Sequence, residues 1–497
     1  MKTRKFLWAV LPMMAAALAM TACGGDDDTD TKPVPVSPTD NTEKSIPYTV
    51  TVKGDPETTR ATINADGKTM NFASDDELYI SDGGDIHGVL TLQSGAGSDA
   101  ATFSGTLYYE ASTPPNNSTS LTATLVSSND QVAQKSDGRV TGFSYPTSGN
   151  VCSTLSEAVS KYSQLQGTGN YGSGDIVLYQ STAFLKFTVT LEDGTTSGAS
   201  VPVSVTSDGS TTIGEGSVSA SGTTQFVNIQ AVFFVPVEGG TVISTSANMW
   251  VGSVGTPADE SITYGASTNK KLTGGNVYTV SKTKDFVRLW AGGPVWATKN
   301  LGASSVTDYG GYYCWGGTTD VTSTSINLDW NSNCPHWVSG TTDSTVKFSK
   351  YVPTDQSTYW GGEGTTPDNK TKLESSDDAA TAKLGSSWRM PTDAEFNEST
   401  GLLANTTNAW TTVNSVKGRT FTGNTTGYTG KAIFLPGAGY RGSTELRIRG
   451  TYGVFWSSSL DTSNPRYGRY LYFDSGIAGT SYGYRYGGRS VRPVRMN

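Results

Sequence analysis

Residues 467–473 read YGRYLYF, a stretch in which residue type alternates with a period of two. Leu471 and Phe473 fall on one side of this pattern, whereas Tyr470 and Tyr472 fall on the other. Because successive side chains of a β-strand point to opposite faces, the stretch predicts a strand with one face of tyrosines. Short alternating runs separated by turn-forming residues recur along the chain and predict a mainly β protein. Other such runs are residues 48–52, 77–80, 102–108, 184–189, 201–205 and 231–237.

The composition agrees with an extracellular β-protein of several domains. The chain has 497 residues, including 58 Gly and 24 Tyr, and only 16% of its residues are charged. A single hydrophobic core does not extend over a chain of this length, so about three domains are expected. The net charge of -8 argues against nucleic acid as a partner. His87 and His336 are the only histidines, which excludes chemistry that needs a cluster of imidazoles.

The N-terminal residues have the pattern of a secretory signal. Arg4 and Lys5 precede an apolar run, residues 6–20, that is too short for a permanent membrane span. We therefore expect a signal peptide over residues 1–22. Residues 23–47 are rich in Asp, Thr, Pro and Ser and poor in large apolar groups, which predicts a disordered acidic tether.

The end of this signal has the sequence Met20-Thr21-Ala22-Cys23, which resembles a bacterial lipobox. The resemblance implies that Cys23 carries lipid and anchors the chain in the outer membrane. An ordinary signal cut before an accidental cysteine is the alternative. Residues 24–28, Gly-Gly-Asp-Asp-Asp, resemble the acidic tag with which Bacteroidetes export lipoproteins to the cell surface. A surface-exposed lipoprotein is therefore expected, which again argues against nucleic acid as a partner.

Two antiparallel β-sandwich domains are predicted in the first part of the chain. The first covers residues 48–171 and the second covers residues 172–283, with turn clusters between their short strands. One helix interrupts this pattern, because Thr154 and Glu157 have the spacing of a capping box.

Four short segments of these two domains occur in a characteristic order. They are TRAT (59–62), ATFSG (101–105), AFLKF (183–187) and LTGGNVYTV (272–280). In this order, after a lipobox, they resemble the fimbrillin-like proteins of the Bacteroidetes, the subunits and accessory proteins of pili. The resemblance implies binding to other pilus subunits by strand addition. It also implies proteolytic maturation after an arginine near the first strand, for which Arg60 is the candidate; a surface arginine at a strand start is the alternative.

A third domain is predicted over residues 284–497. All tryptophans except Trp8 and Trp250 lie in it. Thr392 and Glu395 have the spacing of another capping box. Short strands and glycine turns make up most of the remaining sequence, so an α+β domain with little regular structure is expected.

The landmarks of this domain are residues 295–303, 308–316, 388–396, 434–441, 455–459 and 490–494. In this order they resemble the domain named for the major paralogous proteins of Fibrobacter succinogenes, which is grouped with C-type-lectin-like and formylglycine-generating-type folds. The resemblance covers nearly all of residues 286–495 and implies a C-type-lectin-like fold. The calcium motifs of sugar-binding C-type lectins, Glu-Pro-Asn or Gln-Pro-Asp, do not occur. Calcium is possible through other oxygen ligands but no motif supports it, so no cofactor is expected.

Cys314, Cys334 and His336 are the only grouping that suggests a metal site. Zinc sites usually contain close pairs of cysteines, and these two are far apart in the sequence. In an exported domain a Cys314–Cys334 disulfide is favoured, with two free thiols and a zinc site as the alternatives. Cys152 is expected to be a buried or free thiol, and no metal is expected.

The sequence contains one match to a catalytic motif. Residues 479–483, Gly-Thr-Ser-Tyr-Gly, match the nucleophile-elbow pattern. That motif needs a strand that runs into a helix, whereas the tyrosine–glycine alternation after Ser481 suits a strand. The cysteines match no reactive pair of the formylglycine-generating type. We therefore expect no enzymatic activity.

The remaining candidate for function is an aromatic surface. Tyrosine offers a large rigid contact area with a hydrogen-bonding tip, arginine offers a fork of donors, and both are enriched at binding hot spots. Packing of the tyrosines under loops is the alternative. The predicted ligand-binding residues are Arg447, Arg449, Tyr452, Trp456, Tyr467, Arg469, Tyr470, Tyr472, Tyr482, Tyr484 and Arg485.

Residues 447–485 have a composition that resembles the ligand patches of some lectin-like domains in phage and bacterial proteins, which are diversified by adenine-directed mutagenesis. We therefore expect a cell-surface adhesin, a pilus-tip or pilus-associated lipoprotein. Its ligand would be a host or bacterial surface glycan or protein. The alternatives are a structural pilus anchor or assembly subunit and, less favoured, a surface enzyme of the formylglycine-generating or glycan-hydrolase type.

Overall fold

The computed structural model describes residues 43–54, 72–126, 131–134, 140–252 and 260–495. Three predictions lie outside these residues: the signal peptide over residues 1–22, lipidation of Cys23 and cleavage after Arg60. Most of the predicted tether, residues 23–47, lies outside them too. The end of that segment is part of the first strand, which begins at Glu43.

A closed barrel forms the first part of the described chain. Its strands follow the order β1-β4-β3-β2-β5-β8-β9, and β9 completes the ring by pairing in parallel with β1. A separate hairpin, β6-β7, and a helix, α1, are inserted before the last two strands. The elements are β1 (Glu43–Gly54), β2 (Glu77–Ser81), β3 (His87–Ser94), β4 (Ala100–Glu110), β5 (Ser120–Val126), β6 (Val132–Gln134), β7 (Val140–Phe143), α1 (Leu155–Tyr162), β8 (Gln164–Asn170) and β9 (Ile176–Gln180).

This barrel corrects three sequence predictions. A sandwich is predicted over residues 48–171, but the sheet closes on itself and includes β9, which lies beyond that boundary. Alternation cannot distinguish the two, because a barrel and a sandwich both bury one face of each strand. The predicted tether over residues 23–47 ends too late, because Glu43 already pairs with Glu110 of β4. The neighbouring strand orders this polar segment by satisfying its backbone groups.

The helix α1 begins at the predicted capping box. The Thr154 side chain accepts a hydrogen bond from the Glu157 backbone N–H at 3.1 Å, and the Glu157 carboxylate accepts one from the Ser153 N–H at 2.9 Å. These bonds satisfy donors that a helix start leaves free. The buried side of α1 packs on Phe184 and Phe234, which belong to the next part of the chain.

Two sheets that share one core form the second part of the described chain. One sheet has the order β13-β10-β18 and the other the order β12-β11-β15-β16, as predicted for a sandwich, although β18 runs parallel to β10. The pair β14-β17 lies outside these sheets. The strands are β10 (Thr182–Leu191), β11 (Ser200–Thr206), β12 (Thr212–Ser219), β13 (Ile229–Glu238), β14 (Val242–Ile243), β15 (Asn248–Val251), β16 (Ile262–Thr263), β17 (Lys270–Lys271) and β18 (Val277–Lys284).

The third part, from Phe286 onward, combines small sheets with very short helices, so it has the predicted α+β character. Its predicted capping box at Thr392 and Glu395 is confirmed. The C-type-lectin-like fold stays a prediction. The elements are β19 (Phe286–Arg288), β20 (Val295–Ala297), β21 (Trp337–Ser339), β22 (Lys347–Phe348), a 3-10 helix (Thr354–Tyr359), α2 (Ala379–Leu384), α3 (Asp393–Phe396), α4 (Leu402–Asn405), β23 (Thr406–Val413), β24 (Val416–Gly423), β25 (Ala432–Pro436), β26 (Tyr440–Arg441), β27 (Leu446–Arg447), β28 (Gly453–Leu460), β29 (Tyr467–Phe473), β30 (Ala478–Tyr484) and β31 (Val494–Arg495).

Buried arginines connect the loops of this third part. Arg492 donates from Nη1 to the Ala297 carbonyl at 3.0 Å, from Nη2 to the Phe434 carbonyl at 2.8 Å and from Nε to Oδ1 of Asn300 at 3.0 Å. One side chain therefore joins two segments that are distant in the sequence. The arginines that are fully buried and bonded to backbone carbonyls in this way are Arg441, Arg485 and Arg492.

Buried polar contacts connect the sandwich to the third part. Lys284 and Asp193, both of the sandwich, form an ion pair at 3.0 Å next to this boundary, with both side chains almost fully buried. Burial opposes ionisation of Asp193, but Lys284 and hydrogen bonds from Thr195 outweigh it, so the pKa of Asp193 is lowered. The Asp193 carbonyl also accepts a hydrogen bond from the Ala432 N–H at 2.8 Å.

We expect Lys284→Ala to lower the free energy of unfolding by about 3–5 kcal/mol, because Asp193 would remain buried without its cation. Chemical denaturation followed by tryptophan fluorescence measures the loss. The matched control is Lys53→Ala, whose ion pair with Asp175 has side chains that are 52% and 41% exposed. An exposed pair contributes less than about 1 kcal/mol. Equal losses in the two variants would contradict the structural role of the buried pair.

Candidate ligand-binding site

The candidate site lies on the sheet of β28, β29 and β30. The leucine and phenylalanine of β29 are buried, whereas Tyr470 and Tyr472 are only partly buried on the other face. The alternation predicted for residues 467–473 is therefore confirmed. The strand register places Tyr467 of β29 opposite Tyr484 of β30, so these two tyrosines meet on the face that Leu471 and Phe473 share, opposite to that of Tyr470.

A cavity of about 540 Å³, called here the tyrosine pocket, is lined by residues of all three strands of this sheet and of neighbouring segments. Its volume is in the range of pockets that hold small ligands. Five of the predicted ligand-binding residues line this pocket. They are Tyr452, Tyr467, Tyr470, Tyr482 and Tyr484. The complete set of lining residues is Tyr440, Ile448, Tyr452, Val454, Tyr467, Tyr470, Tyr482, Gly483, Tyr484 and Arg489.

Ring contacts and one ionic hydrogen bond fix a wall of the pocket. The ring centroid of Tyr467 lies 5.0 Å from that of Tyr482 and 4.9 Å from that of Tyr484. Tyr484 also stacks on Tyr486 with centroids 5.2 Å apart. The hydroxyl of Tyr484 donates to the carboxylate of Asp343, and this bond raises the pKa of Tyr484. The rings are therefore positioned before any ligand arrives, which lowers the entropic cost of binding.

Arg489 lines the pocket although sequence reasoning missed it. Its guanidinium carbon lies 4.0 Å from the ring centroid of Trp456 and 4.6 Å from that of Tyr470. The residue follows the last strand of the sheet, where no periodicity predicts the direction of a side chain. Gly487 leaves room for the Arg489 side chain, because an added Cβ there would lie 2.6 Å from Nη1 of Arg489. This glycine is the one feature of the sequence that could have indicated where Arg489 lies. Tyr440 was missed as well, because it comes from the distant strand β26.

Two predicted ligand residues, Arg485 and Trp456, are fully buried, so direct contact with a ligand is wrong for both. Arg485 donates to the carbonyls of Lys350, at 3.1 Å, and Tyr351. Trp456 lies on the pocket side of β28, but Arg489 covers its ring. Neither of these two residues is among those that line the pocket.

Four other predicted residues lie near the pocket without lining it, and their contact with a ligand stays a prediction. Arg449 donates from Nη2 to the hydroxyl of Tyr312 at 3.2 Å. Arg469 faces Asp393, with Nε and Oδ1 3.4 Å apart. The four residues are Arg447, Arg449, Arg469 and Tyr472.

The predicted Cys314–Cys334 disulfide is wrong, because Cys152, Cys314 and Cys334 are all free. Each of the paired candidates has a backbone acceptor of its own. The Cys314 thiol donates to the carbonyl of Tyr486 at 3.1 Å, and the Cys334 thiol donates to that of Pro335 at 3.7 Å. Burial raises the pKa of Cys314 to about 12 and raises that of Cys334 as well. Both thiols are therefore poor nucleophiles.

Within the described ranges, no three side chains of His, Cys, Asp or Glu are grouped so that they could hold a metal ion. Among the helices of the same residues, none has the length and apolar character needed to cross a membrane.

No family model matches this chain, and no curated protein matches it. Among solved structures it is similar to a "putative cell adhesion protein" from Bacteroides uniformis, with 15% identity, a TM-score of 0.23 and coverage of 50% of this chain and 95% of the other. It is also similar to a fimbrial assembly protein from Parabacteroides distasonis, with 9% identity, a TM-score of 0.23 and coverage of 52% and 92%. Similarity at this level carries no conclusion about the function of the chain.

We expect three free thiols, those of Cys152, Cys314 and Cys334, to react when the chain is denatured without a reductant. Titration with Ellman's reagent measures them in a Cys23→Ser variant, which removes the fourth cysteine. In the native protein Cys314 should react much more slowly than in denaturant, because burial raises the pKa of its thiol. A single reactive thiol in denaturant, rising to three after reduction, would contradict this expectation and support a Cys314–Cys334 disulfide.

Proposed function

We propose that this chain is a cell-surface adhesin that binds its ligand in the tyrosine pocket of its C-terminal part. The observation that carries this proposal is a cavity of about 540 Å³ lined by six tyrosines. Tyrosine rings bury a large area and lose little conformational freedom, and their hydroxyls add directional hydrogen bonds. A cluster of such rings around one cavity is a favourable surface for recognition.

The exposure of individual rings supports the same proposal. Tyr482 is 50% exposed although a neighbouring ring, that of Tyr467, could have covered it. A large exposed aromatic side chain beside a cavity is more typical of a binding surface than of a core. The pocket therefore offers a ligand apolar ring faces at its rim and polar groups at its base.

The proposal includes anchorage by lipid on Cys23 in the outer membrane, with exposure at the cell surface. Two β domains then separate the anchor from the pocket along the chain. Association with other pilus subunits by strand addition is also proposed. It is supported by β18, which forms an edge of its sheet and has mostly exposed or half-exposed residues. The same edge favours a structural pilus anchor or assembly subunit as the second candidate function.

We propose binding without catalysis. Ser481 of the nucleophile-elbow match lies inside β30 and not at a turn from strand to helix. His336 faces Asp377 at 3.2 Å, and burial lowers its pKa. The buried thiols are unsuited to the chemistry of a formylglycine-generating enzyme. These observations favour a receptor over an enzyme.

We expect Tyr482→Ala to weaken ligand binding by roughly tenfold or more, as for truncation of a binding hot spot. Glycan and protein arrays probed with the full chain identify a ligand, and its Kd is then measured for each variant. The matched control is Tyr179→Ala in the barrel, because Tyr179 is 51% exposed and distant from the pocket lining. Its Kd should stay unchanged.

The proposal fails if Tyr482→Ala, Tyr467→Ala and Tyr452→Ala each leave every detected interaction intact. An absence of any array ligand, together with incorporation of the chain into pili, would instead favour the structural subunit. Turnover of an array glycan would favour an enzyme.

A further inference from the structure

The base of the tyrosine pocket contains one buried charge, the guanidinium of Arg489. It is the only charged residue that lines the pocket, and it is 9% exposed. The rings of Trp456 and Tyr470 flank it. Aromatic faces attract a cation, but they leave its net charge in place.

Arg489 has no ion-pair partner among the residues that the structure describes. It has a hydrogen bond with Tyr470, and its Nε and Nη1, which are shielded from solvent, have no acceptor there. Arg492 is equally buried, but each of its three guanidinium nitrogens has an acceptor. A buried cation with missing acceptors is costly unless another group completes its surroundings. Since Arg489 lines an open cavity and its charge has no anionic partner among the described residues, an anionic ligand group is suited to compensate that charge.

We propose that the tyrosine pocket selects a carboxylated sugar, a uronic or sialic acid unit of a surface glycan, and places its carboxylate beside Arg489. This inference rests on the proposed function of the pocket as the ligand site. The guanidinium provides the charge that distinguishes acidic from neutral sugars. The surrounding tyrosines provide the contacts that both kinds of sugar share.

The shape of the site favours a sugar over a protein surface. A typical protein interface buries about 800 Å² on each partner, whereas a concave cavity of about 540 Å³ suits a small unit. Ring faces can cover the apolar side of a pyranose, and tyrosine hydroxyls can both donate to and accept from its hydroxyl groups.

Gly483 adjusts the position of the charge. It lines the pocket, and an added Cβ would overlap Nη2 of Arg489. Gly483→Ala therefore displaces the guanidinium without removing its charge. This variant therefore tests the interaction between the Arg489 guanidinium and the ligand carboxylate without substituting Arg489 itself.

The experiment measures binding of the full chain to two matched pairs of probes. The first pair is a glucuronic acid-terminated disaccharide and its glucose-terminated counterpart, and the second pair is sialyllactose and lactose. We expect at least one acidic probe to bind about tenfold or more tightly than its neutral counterpart, since hydrogen bonds to charged groups contribute more than neutral ones. Raising the salt concentration should reduce this preference.

Arg489→Gln should abolish the preference, Arg489→Lys should retain part of it, and Gly483→Ala should reduce it. The matched control is Lys383→Gln, which removes an exposed cation of α2 that does not line the pocket and should leave the preference unchanged. If Arg489→Gln fails to fold, Gly483→Ala and the salt dependence of the unmodified protein decide the question.

Three results would overturn the inference. Equal binding of acidic and neutral sugars that depends on Tyr482 removes the charge selectivity but leaves the proposed function standing. If none of the four sugars binds but a protein ligand does, and its binding depends on Tyr482, the inference fails and the proposed function still stands. Failure to find any ligand that depends on Tyr482 removes both the inference and the proposed function.

Discussion

Hydrogen bonds from buried arginines to backbone carbonyls hold the C-terminal part of this protein together. A fold with short strands leaves many carbonyls in loops, and the buried ones need donors. A guanidinium offers five N–H groups in a rigid fork, so one side chain can serve several loops. Arg492 does this for two segments, those of residues 297–300 and of Phe434, and Arg485 does it for the segment that carries Lys350 and Tyr351. Burial of the charge is costly, and these multiple bonds offset that cost.

The tyrosine pocket depends on the same arrangement. Arg485 is bonded to the Lys350 and Tyr351 carbonyls, whereas the residue before it, Tyr484, lines the pocket. Arg489, four residues later, is covered by aromatic rings and not by carbonyls. Its charge therefore has no ion-pair partner among the described residues, which is the basis of the proposal that an anionic ligand group lies beside it. One short tail thus contributes both the structural bonds of the domain and the charge of the candidate site.

The predictions that succeeded depend on neighbours in the sequence. The N-cap at Thr154, the capping box at Thr392 and the alternation of β29 were all correct. The failures depend on contacts between distant segments. Closure of the barrel requires β9 to reach β1, and Cys314 and Cys334 are free, each thiol with a different backbone acceptor. No spacing in the sequence encodes either of these facts.

Sequence alone was enough to establish a mainly β chain with a tyrosine face on residues 467–473, because strand parity is a property of the local backbone. It also located five of the tyrosines that line the pocket. Tertiary structure alone decided which arginine meets the pocket. Arg485 and Arg489 look alike in the sequence, yet one lies against the Lys350 and Tyr351 carbonyls and the other against Trp456. The environment of a side chain is set by whatever packs against it, and here those groups come from distant parts of the chain.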